Sequence, residues 1–182
     1  MVRHAGAAGR ILEFGSGAST QVLAQSCPGD ATIVSVETDP AWIERTRGNL
    51  ARLGITRAVR FVPYKDWTRA IPDEQPFDLI FNDGVDKLRG RFAEETWPLL
   101  KVGGYLLFHD TRRPRDVKNA LAIVGKFANE ISSVTLNEAG SNITVVRRKP
   151  PEPWVDWNVV EGRERWEYGH AEPPEGLWAA KK

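Results

Sequence analysis

From residue 10 to residue 148, short apolar runs alternate with longer amphipathic ones, the pattern left by strands joined through crossover helices. Strands are predicted at 10–14, 31–37, 58–63, 77–82 and 105–109, where β-branched and aromatic residues run together and then stop. Helices are predicted at 19–25, 40–53, 91–100 and 115–129, the last with Val117, Leu121, Val124 and Ala128 on one face. Two late runs at 133–137 and 142–147, separated by Ala139-Gly140, read as an antiparallel hairpin at a sheet edge. Together these elements predict an α/β fold, a doubly wound, mostly parallel seven-stranded sheet with an antiparallel edge.

A chain of 182 residues with 41% hydrophobic content can bury one substantial core, so one domain is expected, at 1–149. After Lys149 the composition changes. The segment 150–182 holds Pro150, Pro151, Pro153, Pro173 and Pro174 together with four of the seven tryptophans, Trp154, Trp157, Trp166 and Trp178. That much aromatic surface has to cover something. The expectation is an irregular C-terminal tail packed on the domain, bordering a pocket, or meeting a partner subunit in a homo-oligomer.

The charges nearly cancel, 25 Lys and Arg against 24 Asp and Glu, so no global field draws the chain to nucleic acid, which is not expected as a partner. A single cysteine, Cys27, offers no intrachain disulfide and no cysteine-rich metal site, which fits a reducing, cytoplasmic setting. No segment has the length and apolarity of a membrane span or a secretory leader, so no membrane association is expected.

Glu13-Phe14-Gly15-Ser16-Gly17 ends the first strand in a turn where glycines let the backbone reverse and approach a ligand closely. Glu37 ends the second strand, placed to accept hydrogen bonds from both hydroxyls of a ribose. The dinucleotide fingerprint asks for a third glycine at position 20, which is Thr20 here. Glu13 would also repel a pyrophosphate, yet it suits the amino group of a cationic sulfonium nucleoside. The turn therefore points to S-adenosylmethionine (SAM) over a dinucleotide.

The segments ILEFGSGAST, SVETDP, FDLIFNDG and LLKVGGYLLFHDT, in this order, resemble the class I SAM-dependent methyltransferases over residues 10–148. In flavour they are closest to the small-molecule O-methyltransferases of the catechol and sugar type. The resemblance implies a Rossmann-like fold and methyl transfer to a hydroxyl of a small-molecule acceptor. It also implies that Gly15, Ser16 and Gly17 back the methionine and ribose portion, with Glu13 near the methionine amino group, that Glu37 with Thr38 holds the ribose, and that Asp66 and Trp67 border the adenine. Asp83 is implied where the methionine end meets the acceptor.

Asp83 and Asp110 both end strands. In metal-dependent relatives carboxylates at these positions bind a divalent cation such as Mg²⁺, which lowers the pKa of the acceptor hydroxyl. Here Thr111 stands where the catechol-type enzymes place an asparagine ligand, so the sequence leaves metal binding open. The other route is a general base, His109 or Asp110. Arg112, Arg113 and Arg115, with Lys87, Arg89 and Arg91, are read either as binders of an anionic acceptor group or as solvated loops. Two further readings are retained, transfer of an aminopropyl or other group from a sulfonium nucleoside, and a non-catalytic partner subunit of the same fold.

Overall fold

A computed structural model of the chain describes residues 1–71 and 76–149. The expected tail at 150–182 lies outside the described residues. Seven strands form one sheet: β1 (Arg10–Phe14), β2 (Thr32–Glu37), β3 (Val59–Pro63), β4 (Phe77–Asn82), β5 (Leu100–Phe108), β6 (Ile131–Thr135) and β7 (Thr144–Arg148). Their order is β3-β2-β1-β4-β5-β7-β6. β7 runs antiparallel to both β5 and β6, while the pairs from β3 through β5 are parallel.

Alternation along the strands divides the core. Leu12, Phe14, Val34, Val36, Ile80, Leu106 and Phe108 face one layer, and Ile11, Ile33, Leu79, Phe81 and Leu107 face the other. Helices α1 (Val2–Ala5), α2 (Ala18–Ser26) and α3 (Pro40–Arg52) contribute Ala5, Leu23, Ala24 and Leu50 to the second layer. Helices α4 (Trp67–Ala70), α5 (Asp86–Thr96) and α6 (Pro114–Lys126) contribute Trp67, Phe92, Ala93, Ala120, Ile123 and Val124 to the first. Each large apolar side chain so enclosed stabilises the fold by roughly 1.5–3 kcal/mol. The chain winds outward from β1 to β3 and returns to β4 on the other side of β1, which opens a crevice between β1 and β4.

Two elements differ from the sequence expectation by more than three residues. The helix predicted at 91–100 runs from Asp86 to Thr96, and the strand predicted at 105–109 starts at Leu100. The first shift arises because Arg89, which reads as a loop residue, lies on the buried side of α5 with Phe92, Ala93 and Thr96. In the second, Gly103-Gly104 is a kink within β5. A register shift falls between Phe77 and Leu79, Gly103 has φ +84°, and a Cβ on Gly104 would meet the Lys101 carbonyl oxygen at 2.8 Å.

Candidate functional site

The β1 turn is fixed from beneath. Gly15 has φ +90°, and a Cβ there would lie 2.6 Å from the Asp83 carbonyl oxygen, so the ends of β1 and β4 can meet only at a glycine. Gly15 N–H donates to Val36 O at 2.9 Å and Asp83 N–H to Phe14 O at 2.8 Å, which carries the parallel pairing into the turn. Gly17 precedes α2, and its N–H donates to Thr20 Oγ1 at 2.8 Å.

Glu13 sits under this turn, fully buried, opposite Ser35 and Phe81 in the sheet register. Its carboxylate accepts from Ser19, Thr20 and Ser35 hydroxyls, each at 2.6 Å. Burial pushes the Glu13 carboxyl up to about 7; the three hydroxyls oppose that rise and the nearby Asp83 charge adds to it. As placed, Glu13 braces the turn.

Glu37 faces the turn from β2. One oxygen accepts from Ser16 N–H at 2.8 Å and Ser16 Oγ at 3.1 Å; the other accepts from Thr38 N–H at 2.6 Å, Thr38 Oγ1 at 3.0 Å and Asp39 N–H at 3.1 Å. Glu37 thus ties the turn to the start of α3. A residue not foreseen here joins it: the Trp42 indole N–H donates to the Ser16 carbonyl, leaving the ring part-exposed beside Gly17. Its signal in the sequence was only one apolar position in a helical pattern.

Trp67 lies within the core, its ring tilted against Phe92 at 5.3 Å between centroids. Asp66, next to it and more exposed, pairs with Arg69 at 2.6 Å.

On the other side of the crevice Asp83, His109 and Asp110 come together, because β4 and β5 are neighbours and end level, Asn82 opposite Phe108. One ligand-type atom from each lies within 4.8 Å of the others. His109 rests edge-on against Phe81, with Nδ1 3.1 Å from Asp83 Oδ1 and 3.3 Å from Asp110 Oδ1. These are ion-pair distances, although the ring plane is not aligned for a hydrogen bond to either carboxylate. Asp110 has φ +62°, which costs a non-glycine residue about 1–2 kcal/mol. Arg113 pairs with its carboxylate and donates its backbone N–H to the Asp110 carbonyl, and Asn142 Nδ2 donates to Oδ1 at 3.2 Å.

The arginines are paired as well. Arg113 reaches Asp116 at 2.9 Å, Arg115 reaches Asp86 at 2.7 Å, and Arg112 donates to the Gly140 carbonyl. Arg89 is buried against Asp83 and Asp116. Thr111 turns away from the crevice. Its hydroxyl accepts from Thr144 at 2.9 Å and lies 3.2 Å from the Asn142 carbonyl oxygen.

A family model described as "Methyltransferase domain" matches residues 12–111, more than half of the chain. The chain belongs to this methyltransferase family. Solved structures of similar fold include the O-methyltransferase of tomaymycin synthesis from Streptomyces achromogenes in complex with SAM. It is 21% identical with TM-score 0.62, over 78% of this chain and 74% of that one. A second is an O-methyltransferase from Bacillus cereus in complex with SAH, at 22% identity and TM-score 0.64, over 81% and 77% of the two chains. Identities of this size establish the fold. Among curated proteins, a protein-L-isoaspartate O-methyltransferase of Methanoculleus marisnigri is 41% identical over 73 residues, which is 39% of this chain. The match spans about a third, 31%, of that relative's length.

Within the methyltransferase domain, the matched region begins in β1 and ends just past Asp110, so it holds the glycine turn, Glu37 and the Asp83–His109–Asp110 group.

Proposed function

We propose that this methyltransferase domain binds S-adenosylmethionine across the β1–β4 crevice and transfers its methyl group to a hydroxyl of a small molecule. The observation that carries this reading is the division of the crevice: the Gly15–Gly17 turn and Glu37 on one side, His109 between two carboxylates on the other. Asp83 and, in part, Glu13, whose carboxyl burial pushes up to about 7, supply acidic groups that suit an ammonium and a sulfonium and disfavour a pyrophosphate.

Gly15, Ser16 and Gly17 would back the methionine portion, with Glu13 holding the turn in shape. Glu37, with Thr38 beside it, would exchange a hydroxyl partner for the ribose. Asp66 would take the adenine amino group in competition with Arg69, while Trp67 supports the strand end from the core. The acceptor oxygen attacks the methyl carbon in line with the C–S bond. That bond breaks toward sulfur, the sulfonium becomes a neutral thioether, and the hydroxyl proton passes to His109. His109 suits the task better than Asp110, whose two oxygens are taken by Asn142 and Arg113. The imidazolium so formed lies against Asp83 and Asp110.

No helix among the described residues is long and apolar enough to cross a membrane. Cys27 is a buried free thiol, which supports a cytoplasmic setting. Calorimetry with SAM and with its demethylated product tests the cofactor, and labelled methyl transfer to a panel of hydroxylated acceptors tests the reaction. Absence of binding to both nucleosides sinks the reading.

A further inference from the structure

The Arg89 guanidinium is enclosed and engaged on all three nitrogens. Nε donates to Gly84 O at 2.7 Å, and Nη1 donates to His109 O at 3.2 Å and Asp116 Oδ1 at 3.3 Å. Nη2 donates to Asp83 Oδ1 at 2.8 Å and lies 3.5 Å from Asp110 Oδ2. One side chain thereby joins the ends of β4 and β5 to the first turn of α6. Arg113 meets Asp110 and Asp116 from the solvent side. Asp83, Asp110 and Asp116 against Arg89 and Arg113 leave this group with a single negative charge.

These residues do not fit a divalent cation. Mg²⁺ asks for about six oxygen ligands at roughly 2.0–2.1 Å in near-octahedral array. Asp83 Oδ1 already accepts from Arg89, and the Asp110 oxygens are held by Asn142 and Arg113. Thr111 points its hydroxyl toward Thr144, away from the carboxylates. The donors left are the second Asp83 oxygen and an imidazole nitrogen, two where about six are asked for, and the imidazole suits a hard cation poorly. A double charge would also sit beside two guanidinium groups that cannot lose their protons.

We propose that Arg89 is a built-in cation. It holds Asp83 and Asp110 in register around His109 and closes the pair to divalent metal, so the transfer proceeds without one. This inference rests on reading the Asp83–Asp110 edge as the acceptor end of a methyl-transfer site. Arg89 is a positioning residue. The chemistry runs through His109, and a guanidinium suits the Arg89 position because its planar fork reaches carboxylates and carbonyls on three elements at once.

The test titrates the full chain with MnCl₂, reading bound Mn²⁺ by electron paramagnetic resonance and thermal unfolding in parallel, for wild type and Arg89→Met. Wild type is expected to bind no Mn²⁺, to keep its Tm, and to keep its methyl-transfer rate in EDTA. Arg89→Met is expected to lose Tm and to lose roughly 10–100-fold in rate. It is also expected to bind Mn²⁺ and thereby recover Tm, a gain that a merely structural arginine would not produce. Arg89→Lys should fall between the two. Stoichiometric Mn²⁺ binding by wild type that disappears in Asp83→Asn overturns the proposal, and that titration decides even if Arg89→Met fails to fold. A folded Arg89→Met that ignores Mn²⁺ overturns it as well. SAM calorimetry on the same samples keeps the two ideas apart: failure to bind SAM removes the methyl-transfer reading and leaves the Mn²⁺ result standing.

Discussion

Thr20 links Gly17 to Glu13: its hydroxyl accepts from the Gly17 N–H at 2.8 Å and donates to Glu13 Oε2 at 2.6 Å. The residue that stands where a dinucleotide fold has its third glycine thus joins the turn backbone to the buried acid below it. Thr20→Gly should leave a backbone donor and a carboxylate oxygen short of a partner, costing about 1–3 kcal/mol in urea unfolding. It should also weaken SAM binding by calorimetry, whereas Thr20→Ser keeps the hydroxyl and should sit close to wild type. Equal losses in both variants would show that the methyl group, and not the bridge, matters.

Glu13 makes stability depend on pH. Its folded carboxyl titrates at about 7 against an ordinary 4.5, so between those values the folded state holds a proton that the unfolded state has released. Stability from this group is therefore full below about 4.5, falls as pH rises toward 7, and is level above that. Chemical unfolding across this range should show the decline in wild type and a flatter curve in Glu13→Gln. Matching slopes in the two proteins would remove Glu13 as the cause.

Gly15→Ala combines a positive φ with a Cβ 2.6 Å from the Asp83 carbonyl oxygen, both backbone constraints that no side-chain movement relieves. The expected outcome is a drop of several degrees or more in Tm together with loss of SAM binding. Gly125→Ala, at an α6 position where a Cβ meets nothing within 4 Å, is the control and should not lower Tm.

His109→Gln should keep SAM affinity and lose about 10²–10⁴-fold in kcat, the range for removal of a general base. If kcat holds and KM rises instead, the ring orients the acceptor without taking its proton.

The spans 10–14 and 77–82 were legible to the residue because central strands buried on both faces read as nearly unbroken apolar runs. Asp83, His109 and Asp110 were legible because each follows such a strand, and adjacent parallel strands bring their ends together. Arg89 was not, although it keeps helical spacing with buried Phe92, Ala93 and Thr96. A charged side chain at a core position is recognisable only once its acids are in place, and these lie on β4, β5 and α6. Asn142 and Trp42 were hidden for the same reason, as their site partners, Asp110 and Ser16, lie 32 and 26 residues away in sequence. Trp67 was ambiguous in the sequence, since a tryptophan beside an aspartate fits a stacking platform as readily as the core position it takes.

β7 alone runs against the rest of the sheet, so the segment leading into it starts at the same rim where β4 and β5 end. From that segment Asn142 reaches Asp110, and its carbonyl accepts the Thr111 N–H at 2.9 Å. One reversed strand thus turns residues 136–143 into a wall of the proposed acceptor side, although they take no part in the glycine turn. Such a wall can be lengthened, shortened or exchanged while the parallel strands stay as they are. In a lineage of these proteins, choice of acceptor and hold on the methyl donor are free to drift apart.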